Sequence, residues 1–402
     1  MKFLRTATAA AAVLMFAASA AQAEKKYDTG ASDTEIRLGN TVPYSGPLSA
    51  HGIQGRVEQA YFRMLNEEQG GINGRKVRLI SLDDAFSPPK TVEQTRKLVE
   101  QDEVLATFAS VGTAAQTSVQ RYLNQKKIPQ LMVSTGASKF NQPKAFPWTT
   151  PSSISYIDEA VIYGKYLAKE KPDSKIVVLY LNDDFGKDYV AGLKRGLGDR
   201  ADRMIVKELT YELADPTIDS QILAARDTGA DVFFNVTLGK ATSQSLKKLA
   251  EINWKPMHFI CSPSAGRVYL NAAGLENVQG LLTASAMKQI SSPNWANDPD
   301  VKGYLAFMKK YLPNEDISNE IGFSMYMLSH VMAHVLREAG DNLTRENIIK
   351  IATNLKDVKI PGLRPGVKYT NNPENFAPIR EMQLMRFEKD DWVPVGDVIS
   401  AR

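Results

Sequence analysis

The chain has 402 residues, 43% of them hydrophobic and 23% charged, with 49 Lys and Arg against 45 Asp and Glu. That length exceeds one ordinary domain and suits two units, and the composition excludes a disordered or fibrous chain. A net charge of +4 is too balanced to point to a nucleic-acid partner.

The first residues read as a targeting segment. Lys2 and Arg5 form a basic start, 6–20 is apolar and Ala-rich, and Ala21-Gln22-Ala23 is a small-x-small cleavage site. The apolar run falls short of the ~20 residues of a spanning helix. Residues 1–23 are therefore expected to be a signal peptide, cleaved after Ala23, with export to a periplasm. No Cys stands at the cleavage point, so a lipid anchor is not expected, and the mature chain is near +2. The polar stretch 24–33 is expected to be a flexible N-terminus. The single cysteine, Cys261, allows no intrachain disulfide and reads as a small residue at a strand end rather than a catalytic thiol.

From Glu35 the pattern turns regular. Ile36, Leu38 and Val42 mark a strand, and a turn-rich stretch from Pro43 to Gly55 follows it. Ala60, Tyr61, Met64 and Leu65 then share one helical face. Gly70-Gly71 stops that helix, Asn73-Gly74 turns the chain, and Val77, Leu79, Ile80 and Leu82 begin a second strand. This is a βαβ unit, whose long first loop lies at the carboxyl edge of a parallel sheet, where such sheets bind ligands. A helix from Pro88, strands at 104–108 and 128–133 and a helix between them complete one doubly wound unit. The chain is expected to cross out of it around 146–151. A second alternation follows, with strands at 175–181, 204–209, 232–236 and 257–260. A crossing is expected near 280–285, then three helices, another crossing near 360–362, and a terminal hairpin.

The Pro43-x-Ser45-Gly46-Pro47 loop, Gly52, the E-Q-G-G-I-N-G-R-K run ending at Lys76 and the strand-end Asp83-Asp84 together resemble the periplasmic solute-binding proteins of branched-chain amino acid transporters, over essentially the whole mature chain. The resemblance implies a type I periplasmic binding fold: two doubly wound α/β lobes, joined by three crossovers, with a ligand cleft between them. Lobe one would hold 34–150 and 283–360, and lobe two 151–282 and 361–402. It also implies a monomeric, non-enzymatic carrier without cofactor or metal, which closes on a small molecule and presents it to an ABC permease. Two alternatives stand beside it: a periplasmic sensor subunit for amides or amino acids, and an exported hydrolase.

Three lobe-one loops are small, hydroxylated and Gly-rich: Tyr44–Gly52, Ser110–Thr113 and Ser134–Ser138. Such loops let backbone N–H groups and hydroxyls approach an anion, and the helix N-termini behind them favour negative charge. Turn and cap chemistry explains the same composition. The resemblance tips the reading toward binding of a carboxylate by Tyr44, Ser45, His51, Gly112, Thr113, Ser134, Thr135, Gly136 and Ala137. His51 stands where the family often has an aromatic residue, and Gly112 where it often has Ser. In lobe two, Phe185 matches an aromatic position, Leu238 lies near a second one, and Pro263-Ser264 falls where amino acid binders place an acid for the ligand ammonium. No replacement acid is visible in 261–266. A buried ammonium without a carboxylate is costly, so an aromatic or aliphatic acid is favoured over a branched-chain amino acid.

Other constellations read as structure. Asp83-Asp84 and Asp183-Asp184 suit caps and turns. His330 and His334 share a helical face, but their neighbours Met327, Leu328, Val331 and Met332 suit a core. There is no nucleophile-elbow, Walker or Gly-x-Gly-x-x-Gly motif.

Overall fold

The computed structural model describes residues 25–317 and 319–401. The chain opens with β1 (Lys26–Tyr27) and enters a first alternation of β2 (Glu35–Val42), α1 (Ile53–Glu68), β3 (Lys76–Asp83), α2 (Pro88–Glu100), β4 (Ala106–Phe108), α3 (Thr113–Gln125), β5 (Gln130–Val133) and β6 (Thr149–Pro151). A second alternation holds α4 (Tyr156–Glu170), β7 (Ile176–Leu181), α5 (Asp184–Leu197), α6 (Ala201–Met204), β8 (Ile205–Tyr211), α7 (Asp219–Arg226) and β9 (Val232–Val236). It continues through α8 (Lys240–Glu251), β10 (Met257–Ile260), α9 (Arg267–Ala273) and β11 (Leu282–Ser285). The chain then returns to the first lobe with α10 (Pro299–Tyr311), α11 (Glu320–Ala339), β12 (Asn342–Leu343) and α12 (Arg345–Ala352). It ends on the second lobe with the hairpin β13 (Glu381–Glu388) and β14 (Asp391–Ser400).

Each lobe is wound on its own sheet. The first runs β3-β2-β4-β5-β6, all parallel. The second runs β14-β13-β11-β10-β9-β7-β8, parallel but for the antiparallel hairpin added at β11. Strands buried on both faces need continuous apolar runs, and β7 (IVVLYL) and β9 (VFFNV) supply them. In each sheet the second strand lies on one side of the first and the third on the other, so the winding reverses at β2/β4 and at β7/β9. The loops leaving these strands open a crevice at that point. The type I two-lobe architecture is therefore present, with the crevices of both lobes opening on one cleft.

Four segments differ from the sequence reading. The leader, 1–23, lies outside the described residues. From Lys25 on, the stretch expected to be flexible is tied down. β1 pairs with β12, the Arg345 N–H donates to Asp28 Oδ2 at 2.7 Å, and Tyr27 O–H donates to Asp33 at 2.7 Å. The expected first crossing contains a fifth strand, β6, in register with β5. Residues 282–285, expected at the second crossing, are strand β11 of the second sheet, and the chain leaves that sheet only at Ala286. Helix α1 starts at Ile53, four residues before the expected Val57. Gly52 and Gly55 read as loop residues, yet Gly55 lies inside α1, where glycine is required because a Cβ there would lie 2.1 Å from the Tyr44 phenol oxygen.

The three crossings run side by side. Met287 bridges Leu363, Lys288 N–H donates to Gly362 O at 2.8 Å, and Arg364 N–H donates to Ala286 O at 3.0 Å. Tyr369 O–H reaches Ser152 O at 3.1 Å and joins the third crossing to the first. Arg364 is buried, bonds Met287 O and Gln383, and lies over the Trp295 ring. Lys288 is held between Asp298 at 2.8 Å and Asp300 at 2.7 Å.

Candidate functional site: the cleft between the lobes

The cleft encloses a cavity of about 290 Å³, walled by both lobes and by the crossings. Lobe one supplies an end rich in donors. The 13-residue helix α3 points its N-terminus there, and Gly112 caps it at φ +100°. A side chain at 112 is excluded twice, by that backbone and by Phe86, whose ring carbon would lie 2.3 Å from a Cβ. The Thr113 and Thr135 hydroxyls are 2.7 Å apart, and Ala137 N–H donates to Thr135 Oγ1. Among the described residues, Gly136 N–H donates to no acceptor of the chain, while Gly136 O accepts from Tyr156 N–H at 2.8 Å. A free helix N-terminus beside hydroxyls and an idle N–H is a place for an anion.

A hydrogen-bonded chain leaves this end and crosses to lobe two. Ser134 O–H donates to Gln54 Oε1 at 2.8 Å, Gln54 Nε2 meets His51 Nδ1 at 2.8 Å, and His51 Nε2 meets the Tyr269 phenol oxygen at 3.0 Å. An amide nitrogen only donates, so His51 Nδ1 accepts and its proton sits on Nε2, aimed at Tyr269. Burial lowers the His51 pKa to about 4, which keeps the ring neutral as this arrangement needs. Further contacts join the lobes. Ser138 N–H and O–H both donate to Asp188, at 2.6 and 2.9 Å, and Lys139 pairs with Asp184.

The lobe-two wall is aromatic. Phe185 packs edge-on against Tyr156 at 4.9 Å, and Tyr156 stacks on Tyr189 at 4.9 Å. Within this wall stands Glu159, fully buried. Its carboxyl accepts from Tyr163 O–H at 2.8 Å, Ser262 N–H at 2.8 Å and Ser262 O–H at 2.6 Å. Burial pushes its pKa up, and those bonds oppose the shift. Two further acids reach the cavity. Asp183 caps α5 through Gly186 N–H, and burial lifts its pKa to about 6. Glu320, at the start of α11, is lifted to about 7 by the same cause. No acid stands in 261–266, as the sequence reads, but one reaches the same place from elsewhere: Glu159 bonds to Ser262 beside Pro263-Ser264, from a helix more than a hundred positions earlier. The remaining wall is mixed: Leu48, Met287, Met325, Leu328, Ile360 and Met382 give it apolar surface, and Ser152, Ser285, Lys288 and Gln289 stand among them.

Of the residues picked from sequence, His51, Gly112, Thr113, Ser134, Thr135, Gly136, Phe185 and Leu238 line this cavity together. Tyr44, Ser45, Ala137 and Ser264 do not. Tyr44 turns its phenol to Ser81, 2.5 Å away, and Ser45 N–H and O–H bond Asp83, so this loop is fixed to the end of β3. The Asp83 carboxylate is accordingly held well below the usual range, by Ser45, Lys90 and Ala85 against the opposing effect of burial. Ala137 is buried behind the loop. Ser264 is fully buried and donates to Thr237 O at 2.6 Å. His330 sits between the Tyr61 and Tyr326 rings, at 4.8 and 4.7 Å, in the lobe-one core. Cys261 is buried and its thiol pKa is raised by burial. Sequence reasoning missed Gln54, Phe86, Glu159, Met287 and Glu320.

The model of the periplasmic binding protein family matches residues 35–391. The chain belongs to the periplasmic binding protein family. A curated relative, the amino acid binding protein of Pseudomonas aeruginosa, is 22% identical over 217 residues, covering 50% of this chain and 53% of that protein. The chain thus spans about half the length of the first curated relative it matches. Two solved periplasmic binding proteins share the fold. The branched chain amino acid ABC transporter protein of Thermus thermophilus with bound valine has a TM-score of 0.79 at 16% identity, covering 91% of this chain and 97% of that one. The fatty acid ABC transporter substrate-binding protein of Thermomonospora curvata has a TM-score of 0.77 at 18% identity, covering 94% and 95%.

Proposed function

We propose that this protein captures a small carboxylate with an apolar body, an aromatic or aliphatic acid in preference to a branched-chain amino acid. It then presents the closed complex to the permease of an ABC importer. The reading also holds that residues 1–23 are removed on export and that the mature chain works as a periplasmic monomer. The fold does not choose the ligand, since proteins of this shape include one with bound valine and a fatty acid ABC transporter substrate-binding protein. The choice rests on the cavity. One end offers the α3 N-terminus, the Gly136 N–H and the Thr113 and Thr135 hydroxyls to a carboxylate. The acids that reach the cavity are each engaged by the chain: Glu159 by Ser262 and Tyr163, Asp183 by Gly186 N–H and Glu320 by Arg267 N–H. At roughly 30 Å³ per water-sized volume, the 290 Å³ cavity holds a ligand of at least about ten non-hydrogen atoms.

A thermal-shift screen of the mature protein, unfolded and refolded to strip carried-over ligand, tests this. A native-only binder at 100 times its Kd adds about 2.7 kcal/mol. Shifts with benzoate-type or straight-chain acids, and none with leucine or valine, are the expected outcome. Shifts with leucine or valine and none with acids would overturn the ligand assignment.

A further inference from the structure

Four side chains run in one line from the anion end of the cavity to its mouth, and the line has a direction. Ser134 O–H donates to Gln54 Oε1, Gln54 Nε2 donates to His51 Nδ1, and His51 Nε2–H donates to the Tyr269 phenol oxygen, over 2.8, 2.8 and 3.0 Å. The Ser134 proton is thus committed inward, and only the lone pairs of its oxygen are left for a guest. Yet Ser134 lines the cavity beside Thr113, Thr135 and Gly136, where the donors of the cleft are gathered. A carboxylate seated there would face oxygen lone pairs where it needs a proton. Every member of the line can be turned round. The two ends of an amide have one shape and differ only in donating or accepting, hydroxyls rotate, and a neutral imidazole can exchange its donor nitrogen for its acceptor. Burial keeps His51 neutral. Gln54 is buried, and among the described residues no other hydrogen bond holds its amide, the His51 ring, the Ser134 hydroxyl or the Tyr269 phenol and fixes the direction.

We propose that Gln54 and His51 are positioning residues of the anion end, and that a carboxylate seated at Ser134 reverses the whole line: Ser134 O–H then donates to the ligand, Gln54 Nε2 to Ser134 Oγ, His51 Nδ1–H to Gln54 Oε1, and Tyr269 O–H to His51 Nε2. The proposal rests on the acid-binding reading above and deepens it. No bond within the line is lost, since the same three heavy-atom distances serve both directions, and one charge-assisted bond to the ligand is gained. Gln54 Nε2 on Ser134 Oγ also strengthens the serine as a donor, as linked hydrogen bonds polarise one another. The reversal changes no net charge. The Gln54 amide turns over, the two hydroxyls swing about their C–O bonds, and His51 gives its Nε2 proton to water in the cleft and takes one from water at Nδ1. Because Tyr269 belongs to α9 of lobe two, the head group caught in lobe one decides which partner donates across the mouth.

The test is nuclear magnetic resonance of the ligand-stripped mature protein with ¹⁵N-labelled histidine, which separates the two neutral tautomers by their ring-nitrogen shifts. The chain has 4 His, and the His51 signals are those lost in His51→Gln. Spectra are taken free and with saturating benzoate or octanoate, whichever binds more tightly by calorimetry, on wild type and Ser134→Ala, with melting temperatures to check folding. The free protein is expected to carry the His51 proton on Nε2, and the acid complex on Nδ1. Ser134→Ala is expected to bind the same acid about tenfold more weakly and to keep the Nε2 proton with acid bound, since nothing then pulls on Gln54. An unchanged tautomer in the wild-type acid complex would overturn the proposal and leave the acid reading intact. So would a free protein already protonated at Nδ1, or a reversal that persists in Ser134→Ala and so reaches His51 by another route. Failure of both acids to bind would overturn the acid reading and this proposal with it.

Discussion

The two walls of the cleft are made of different materials. Lobe one lines the cleft with main chain: the start of α3, the Gly112 turn, the Gly136 N–H and hydroxyls that are short and already oriented. Lobe two lines it with rings packed around a buried carboxyl, Tyr156, Phe185, Tyr189 and Tyr163 about Glu159. A donor-rich, partly hydrated surface recognises charge in the open form, whereas a dry aromatic surface contributes only once it is pressed against the ligand. Substitutions at the lobe-one loops and at the mouth should therefore be read in affinity, and those in the buried ring wall around Glu159 in stability.

The largest expected effect tests the lobe-two half of that contrast. Glu159→Ala strands three donors in a fully buried site and should lower unfolding free energy by about 3–5 kcal/mol, measured in urea. A loss under about 1 kcal/mol would mean that water replaces the carboxyl and that this wall is wetter than described. Next comes the lobe-one turn. Gly112→Ala forces a Cβ onto the Phe86 ring and a side chain into positive φ. It should cost about 1–3 kcal/mol and weaken ligand binding by about tenfold or more, because the donors move with the turn.

A third prediction concerns the mouth, where the walls meet. Glu320 is raised to about 7 in the folded protein, so its contribution is fully present below its unfolded value near 4.5 and is lost as pH rises through 7. His51 is lowered to about 4, so its contribution is present above 6.5 and is lost as pH falls through 4. Wild type minus Glu320→Gln should therefore fall from pH 4.5 to 7, whereas wild type minus His51→Gln should rise from pH 4 to 6.5. Parallel profiles in thermal unfolding would show that the two groups do not titrate independently.

Smaller again is Tyr269→Phe. It removes the acceptor of the His51 proton and should weaken binding about fivefold, the worth of a net hydrogen bond near 1 kcal/mol, with the urea midpoint almost unmoved. Least is Lys139→Ala, at a pair whose partner Asp184 is half exposed. A change of less than about threefold, disappearing at roughly 0.5 M salt, is expected.

What could be read from the sequence follows the same division of materials. The alternation of strands and helices was legible because central parallel strands are apolar throughout, as in β7 and β9. The three-residue β6, Thr-Thr-Pro, carries no such run, and the seven-residue α9 is too short to show a period. The lobe-one loops announced themselves by their small hydroxylated residues. Tyr44 and Ser45 share that composition but spend it on Ser81 and Asp83, a choice that only the path of β3 decides. Glu159 and Glu320 were hidden for one physical reason. Each lies in the first turn of a helix, where an acid is ordinary, and which way it faces depends on a partner far along the chain, Ser262 in one case and Arg267 in the other.

The stitched crossings set a lever arm. Because Met287 pairs with Leu363 and Tyr369 ties the third ribbon to Ser152, the three strands bend as one band, and displacement grows with distance from it. Ligand atoms resting on Ser152, Met287 and Tyr369 sit near the pivot and keep nearly the same surroundings whether the lobes are apart or together. Atoms near His51, Tyr269 and Glu320 sit at the swinging end. On the proposed closure of the lobes, recognition would be ordered in time: the portion by the pivot is sampled on arrival, and the portion at the far end is inspected only when the jaws meet.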